Sequence, residues 1–178
     1  WNLFVTKGTV RDPVAFYRVR GKDYLVVADE QSVYFLDRTG NTRVNLKSPV
    51  ARAAGSALRF TPGSEPSVVF TSPDGAVRSI SFDGTVAGRQ TGKFSQAHRS
   101  DFADLDGDGV NERLVIDQGT LYVYKNDSTE LFTKSFETKD IRGPYLYNFS
   151  ASDRRTGVYE TGKQLIYIFN RNGDPAPG

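Results

Sequence analysis

One short segment of the sequence combines residue types that could bind a metal ion. Asp104, Asp106 and Asp108 occupy alternate positions, and Glu112 follows four residues after the last of them. Calcium binds about six to eight oxygen atoms, and a curled loop of alternating carboxylates offers several of them from one side. The backbone carbonyl of Val110 can add another oxygen, since the valine side chain cannot bind the ion. The segment therefore predicts a calcium-binding loop.

The residues around these carboxylates indicate which kind of calcium loop this is. Gly107 and Gly109 allow the chain to curl, because glycine adopts positive φ readily. An EF-hand loop has a bidentate Glu at its twelfth position and is followed by a helix. This sequence has Val115 at that position, and the apolar run at residues 114–116 is typical of a strand. We predict a calcium loop that joins two β-strands.

The overall composition excludes several other kinds of chemistry. The 178 residues contain no Cys, which excludes disulfides, thiolate catalysis and Cys-ligated zinc, and a single His excludes a multi-histidine metal site. Lys and Arg number 23 against 21 Asp and Glu, and this near balance gives no support for nucleic-acid binding. No apolar run approaches the roughly 18 residues of a membrane span, so no membrane insertion is expected.

Three weaker candidates have simpler interpretations. His98 and Asp101 could transfer protons, but a single histidine in a polar loop is usually solvated. We interpret Arg154 and Arg155 as the tip of a hairpin and not as an anion site. Three tyrosines could stack on sugars, although aromatic residues at alternate strand positions usually belong to the core: Tyr145, Tyr147 and Tyr167.

The elements that must position the acidic loop repeat along the chain. Short runs of Tyr, Phe, Val, Ile and Thr, separated by Gly, Asp and Asn, predict strands joined by tight turns. Corresponding strands end 46, 42 and 45 residues apart, at Leu36, Phe82, Tyr124 and Phe169. An earlier strand of each copy ends in an aromatic residue: Tyr17, Phe60, Phe102 and Phe149. Each unit is therefore about four strands in about 44 residues.

A repeated unit of this kind predicts the fold class. Continuous apolar runs are typical of strands buried on both faces, so the sheets must stack on one another. We predict an all-β chain with at least about 45% strand, arranged as a β-propeller of about four four-stranded antiparallel blades. A β-sandwich is the alternative. The expected single domain covers residues 1–178, with repeat units at about 11–46, 55–87, 98–136 and 144–178.

The N-terminal residues 1–7 are expected to form an outer strand, because residues 3–7 resemble residues 131–134 of the third unit. This strand could complete the last blade of a closed four-bladed ring, or the chain could be a piece of a larger propeller. The absence of Met and the first residue, Trp1, favour the second interpretation. An incomplete propeller would expose sheet faces, and self-association is then expected.

The acidic segment also resembles a known family. Residues 102–109, followed by Glu112 and the strand at 114–116, are similar to the repeat of FG-GAP and VCBS β-propellers, which include integrin α-subunit propellers and secreted bacterial adhesins. In that family the loop between the first two strands of a blade holds calcium. The family usually has Asp where this chain has Glu112, and the other three units are degenerate. The resemblance implies these ligands for a structural calcium ion: the side chains of Asp104, Asp106, Asp108 and Glu112 and the carbonyl of Val110.

Two functions remain open at this stage. The first is a non-catalytic binding or scaffold module, periplasmic, secreted or at the cell surface, that binds a protein or a glycan. The second is the propeller portion of a secreted polysaccharide lyase or glycoside hydrolase. The first is favoured because no acid, base and nucleophile occur together in the sequence. A groove containing Tyr, Arg and two carboxylates at one end of the blades would favour the enzyme.

Overall fold

The computed structural model describes residues 3–175 and is all-β. Strands make up 47% of the described residues, which contain no α-helix. The described helical structure is the 3-10 turn Thr161–Lys163. These observations confirm the predicted fold class and its strand content. None of the described residues forms a helix with the length and apolarity of a membrane span.

Apart from β5, the strands of the described residues pair antiparallel and in chain order within four sheets. Sixteen strands are present among the described residues: β1 Ala15–Val19, β2 Lys22–Ala28, β3 Val33–Leu36, β4 Thr42–Val44, β5 Gly55–Ser56, β6 Arg59–Thr61, β7 Ser67–Thr71, β8 Val77–Ser81, β9 Val86–Arg89, β10 Arg99–Ala103, β11 Glu112–Asp117, β12 Thr120–Tyr124, β13 Glu130–Ser135, β14 Ile141–Asn148, β15 Arg154–Glu160 and β16 Leu165–Phe169.

The chain divides into two compact units, the first ending at Gln96 and the second beginning at Ala97. In the first unit β1–β4 form one sheet and β6–β9 another. In the second unit β10–β13 pair with one another, and β14–β16 form a three-stranded sheet. Each of the four predicted repeat units thus contributes its own antiparallel sheet.

Each unit has its own apolar core. In the first unit the Phe82 ring lies 4.7 Å from Tyr24 and 5.4 Å from Phe35, both edge-on, between the two sheets. In the second unit Leu114, Leu121 and other apolar residues of β10–β13 pack with Val158 and Phe169 of the last sheet. Burial of this apolar area is the main source of stability for each pair of sheets.

The degree of burial follows the position of a strand in its sheet. In β11 the first five residues are all buried, as expected for an inner strand covered on both faces. All four residues of β9, at the edge of its sheet, are exposed. The inner strand β11 is thus buried on both faces, and the edge strand β9 is solvated.

Two buried carboxylates accept similar sets of hydrogen bonds at the ends of hairpin strands. Asp29 follows β2 and is 2% exposed, and its Oδ2 accepts hydrogen bonds from the Tyr34 hydroxyl at 2.8 Å and from the N–H groups of Lys7 and Gly8. Burial alone would raise the pKa of Asp29, but these bonds and those from the following turn lower it. Glu160, at the end of β15, accepts hydrogen bonds from Tyr167 and from a backbone N–H in the same manner.

The prediction of an outer strand at residues 1–7 is wrong for the described part of that segment. Residues 3–14 belong to no strand, and residues 1 and 2 lie outside the described range. The reason is that Asp29 occupies the N–H groups of Lys7 and Gly8, while the Phe4 ring packs edge-on against Tyr34 at 5.0 Å. In the fourth predicted unit, residues 176–178 also lie outside the described range, and its sheet shows three strands.

Candidate calcium site

The acidic loop connects β10 and β11, the first two strands of the β10–β13 sheet. β10 and β11 pair antiparallel, and the last pair before the loop is Ala103 with Glu112. Residues 104–111 therefore connect two strands, as the sequence predicts. Gly107 and Gly109 have φ of +86° and +85°, a conformation that glycine adopts at little cost.

The structure brings the three aspartates together. One carboxylate oxygen of each of Asp104, Asp106 and Asp108 lies within 4.8 Å of the others. The first two side chains are half-buried and Asp108 is exposed. Three negative charges at this spacing repel one another, and an oxygen-only donor set is the kind that a hard cation such as calcium prefers. The arrangement is thus chemically suited to calcium.

Hydrogen bonds within the loop fix the orientation of these carboxylates. Asp104 Oδ1 accepts the N–H of Gly107 at 2.7 Å, and its Oδ2 accepts the N–H of Gly109 at 3.1 Å. Asp108 Oδ1 accepts the N–H of Val110 at 2.7 Å. The Val110 side chain has no oxygen, so only its backbone carbonyl is available as a ligand.

Glu112 lies apart from this cluster, at the buried end of the loop. It is 2% exposed, and its Oε2 accepts the N–H of Leu105 at 2.7 Å. The group of three aspartates with oxygens within 4.8 Å does not include it. Burial raises the pKa of Glu112, and the negative charges of Asp106, Asp108 and Asp104 raise it further. The Glu112 carboxylate therefore interacts electrostatically with the three aspartates.

Arg154, the first residue of β15, contacts the loop from the neighbouring hairpin. Its Nη1 lies 2.6 Å from Asp104 Oδ2 and donates to the backbone oxygen of Asp104 at 2.5 Å. Burial would raise the pKa of Asp104, but Arg154 and the Gly107 and Gly109 N–H groups hold it below its usual value. This contact could not be predicted from local sequence, because the two residues are 50 positions apart.

The interpretation of His98 as a solvated loop residue is wrong. His98 is fully buried and Asp101 is 6% exposed. The reason is that His98 directly precedes β10, in which residues 100–102 are buried, so His98 is enclosed with them. Among the tyrosines, Tyr167 bonds to Glu160 and Tyr145 is 43% exposed.

A separate cavity of about 320 Å³ lies in the first unit. Its lining includes Tyr24, Arg20, Glu65 and Asp83, a combination of one tyrosine, one arginine and two carboxylates. Arg20 donates to the Ser64 carbonyl at 2.6 Å. Hydrogen bonds from its own turn lower the pKa of Asp83 to about 2, so this carboxylate stays ionised and cannot act as a general acid near neutral pH.

Comparisons with known proteins support the fold and leave the function open. The chain is similar to BBS1N in a crystal structure of its complex with ARL6DN, with 13% identity and a TM-score of 0.60 over 93% of this chain and 51% of that one. It is also similar to the V. cholerae biofilm matrix protein Bap1, with 14% identity and a TM-score of 0.51 over 86% of this chain and 35% of that one. No family model and no curated protein matches the sequence.

The chain has a β-propeller-like fold, shown by its four antiparallel sheets and by these structural neighbours. It spans about half of the BBS1N chain and about a third of the Bap1 chain. Identities this low relate the folds alone. The function must therefore be argued from the site.

Proposed function

We propose that this chain is a non-catalytic binding or scaffold module in which the β10–β11 loop holds one structural calcium ion. The observation that carries the proposal is the convergence of Asp104, Asp106 and Asp108 oxygens within 4.8 Å, in a hairpin loop curled by two glycines. The resemblance of the segment to FG-GAP and VCBS repeats supports the same assignment. Asp104, Asp106 and Asp108 would bind through their side chains and Val110 through its carbonyl.

Glu112 would complete the set by a short movement of its carboxylate or through a water molecule. It is buried next to three negative charges, a position that is costly for an ionised carboxylate without a nearby cation. A calcium ion would offset this cost. Its role would be structural, because the loop joins two strands of a buried sheet.

The proposed setting is outside the cytoplasm. Calcium modules there commonly have dissociation constants of about 0.1–1 mM, which extracellular calcium can saturate. A protein or glycan ligand is the partner expected of such a module. The complex of BBS1N with ARL6DN shows one neighbour of this fold bound to a partner.

The direct test is a calorimetric calcium titration of the natural chain and of two matched variants. Asp106→Asn removes a ligand charge but keeps an oxygen that can accept the N–H of Asp108. Asp127→Asn makes the same change at an exposed aspartate in another turn of the second unit, where Oδ1 accepts the Thr129 N–H at 2.9 Å. We expect one calcium per chain, binding at least tenfold weaker in Asp106→Asn and unchanged in Asp127→Asn. No heat of binding for the natural chain would refute the site.

A second candidate function is supported by the cavity in the first unit. Tyr24, Arg20 and Glu65 line one cavity, and a lyase acting on uronic acids needs a base and a cation that neutralises the substrate carboxylate. The test is depolymerisation of acidic polysaccharides, followed at the absorbance of the unsaturated product, with Arg20→Gln as the control. Activity that disappears in this variant would favour the enzyme. The binding module would be supported if neither protein cleaves the polysaccharides.

A further inference from the structure

The contact between Arg154 and Asp104 joins the β14–β15 hairpin to the acidic loop of the β10–β11 hairpin within the second unit. The guanidinium reaches both the side chain and the backbone oxygen of Asp104. The Arg154 side chain is 25% exposed and that of Asp104 is 18% exposed, so water screens this pair less than a surface ion pair. The Ala151 carbonyl lies 3.7 Å from the point where a Cβ on Gly107 would be, so the two loops are close neighbours.

Arg154 and a bound cation would use the same carboxylate. Asp104 Oδ2 already accepts the Gly109 N–H and the Arg154 guanidinium, and Oδ1 accepts the Gly107 N–H. A calcium ion bound to Asp104 would therefore share this carboxylate with the positive charge of Arg154. That charge stabilises the acidic loop when calcium is absent and repels calcium when it binds.

We propose that Arg154 is a built-in counter-ion of the acidic loop, which keeps the loop folded without calcium and sets a lower calcium affinity. The inference rests on the calcium site proposed above and adds a residue that regulates it. Arg154 would raise the calcium concentration at which the site is half occupied above the value that the four carboxylates alone would give. The β14–β15 hairpin is the element through which this control acts.

The experiment compares Arg154→Gln with Arg155→Gln in the complete chain. Both variants remove one positive charge from adjacent positions, but Arg155 pairs with Asp153, at 2.8 Å and 3.0 Å, and not with the acidic loop. Calcium affinity is measured by calorimetry, and the melting temperature is measured in EDTA. We expect Arg154→Gln to bind calcium roughly tenfold more tightly and to melt at a lower temperature in EDTA. Arg155→Gln should bind calcium within about twofold of the natural chain.

The possible failures can be told apart. Calcium binding by the natural chain with equal or weaker affinity in Arg154→Gln would overturn the role of Arg154 and leave the site intact. No calcium binding by any of the proteins would overturn the site and this inference with it. If Arg154→Gln is unfolded in EDTA, calcium should refold it, and a circular dichroism spectrum that stays unfolded in excess calcium would overturn the proposal.

Discussion

Removing calcium should lower the melting temperature of the natural protein. Asp104, Asp106 and Asp108 hold oxygens within 4.8 Å of one another, and Glu112 is buried beside them. At that separation two unit charges in water repel by about 0.9 kcal/mol, so the three aspartate pairs together repel by roughly 3 kcal/mol, part of which Arg154 offsets at Asp104. A cation at the centre of the loop would offset this repulsion and restrain the hairpin that leads into β11.

The expected stabilisation follows from mass action. With a dissociation constant of about 0.1–1 mM, 10 mM calcium stabilises the folded chain by about 1.4–2.7 kcal/mol. This is the same scale as the repulsion within the loop. For a chain of this size it corresponds to a rise in melting temperature of about 3–10 °C. Magnesium should have a smaller effect, because it requires a tighter octahedral shell and dehydrates reluctantly.

The assay is a thermal melt followed by circular dichroism at a constant ionic strength, with EDTA, calcium or magnesium. The Asp106→Ala variant should lose the calcium-dependent rise. Equal melting temperatures of the natural chain in EDTA and in 10 mM calcium would refute the reasoning. A rise that persists in Asp106→Ala would show that calcium binds elsewhere in the chain.

Three further predictions concern stability. Asp29→Ala should destabilise the chain by on the order of 3 kcal/mol in urea unfolding, because it leaves the buried Ser32 N–H and the part-buried N–H groups of Lys7 and Gly8 without this partner. The folded-state pKa of Asp29 is lowered, so ionised Asp29 should contribute fully to the free energy of unfolding above about pH 4, its unfolded-state pKa. This contribution should fall as the pH decreases through the folded-state pKa, which urea unfolding at a series of pH values from about 7 to about 2 would detect. Glu112→Gln should raise the melting temperature in EDTA at pH 7, because it removes a buried charge whose folded-state pKa is raised; a lower melting temperature would contradict this. Gly119→Ala should lower the free energy of unfolding by on the order of 3 kcal/mol, because φ is positive there and the new Cβ would lie 2.6 Å from the Thr138 backbone oxygen. Gly21→Ala also has a positive φ but open space around the new Cβ, so it should lower the free energy of unfolding by only about 1 kcal/mol.

Local features of the sequence were sufficient to predict the sheets and the acidic loop. Apolar runs separated by glycine turns mark strands whichever way the sheets stack, and Leu36, Tyr124 and Phe169 do end β3, β12 and β16. The aspartates lie within five residues of one another, so a single turn of the chain determines that they converge.

Contacts between distant segments could not be predicted in this way. The role of Arg154 depends on the packing of one hairpin beside another, and neighbouring residues carry no sign of it. The N-terminal residues 3–7 resemble the strand residues 131–134, but the Asp29 carboxylate accepts the N–H groups of Lys7 and Gly8, which strand pairing would need. The burial of His98 likewise depends on the strand that follows it and not on its polar neighbours.

The two separate apolar cores have a consequence for how the chain opens. A unit that buries its own core can unfold as a cooperative segment, so amide hydrogens of β2 and β3 need not exchange together with those of β11 and β12. A calcium ion in the β10–β11 loop would slow exchange only in the second unit. Removing calcium would then increase cleavage of the second unit by a protease and leave cleavage of the first unit unchanged.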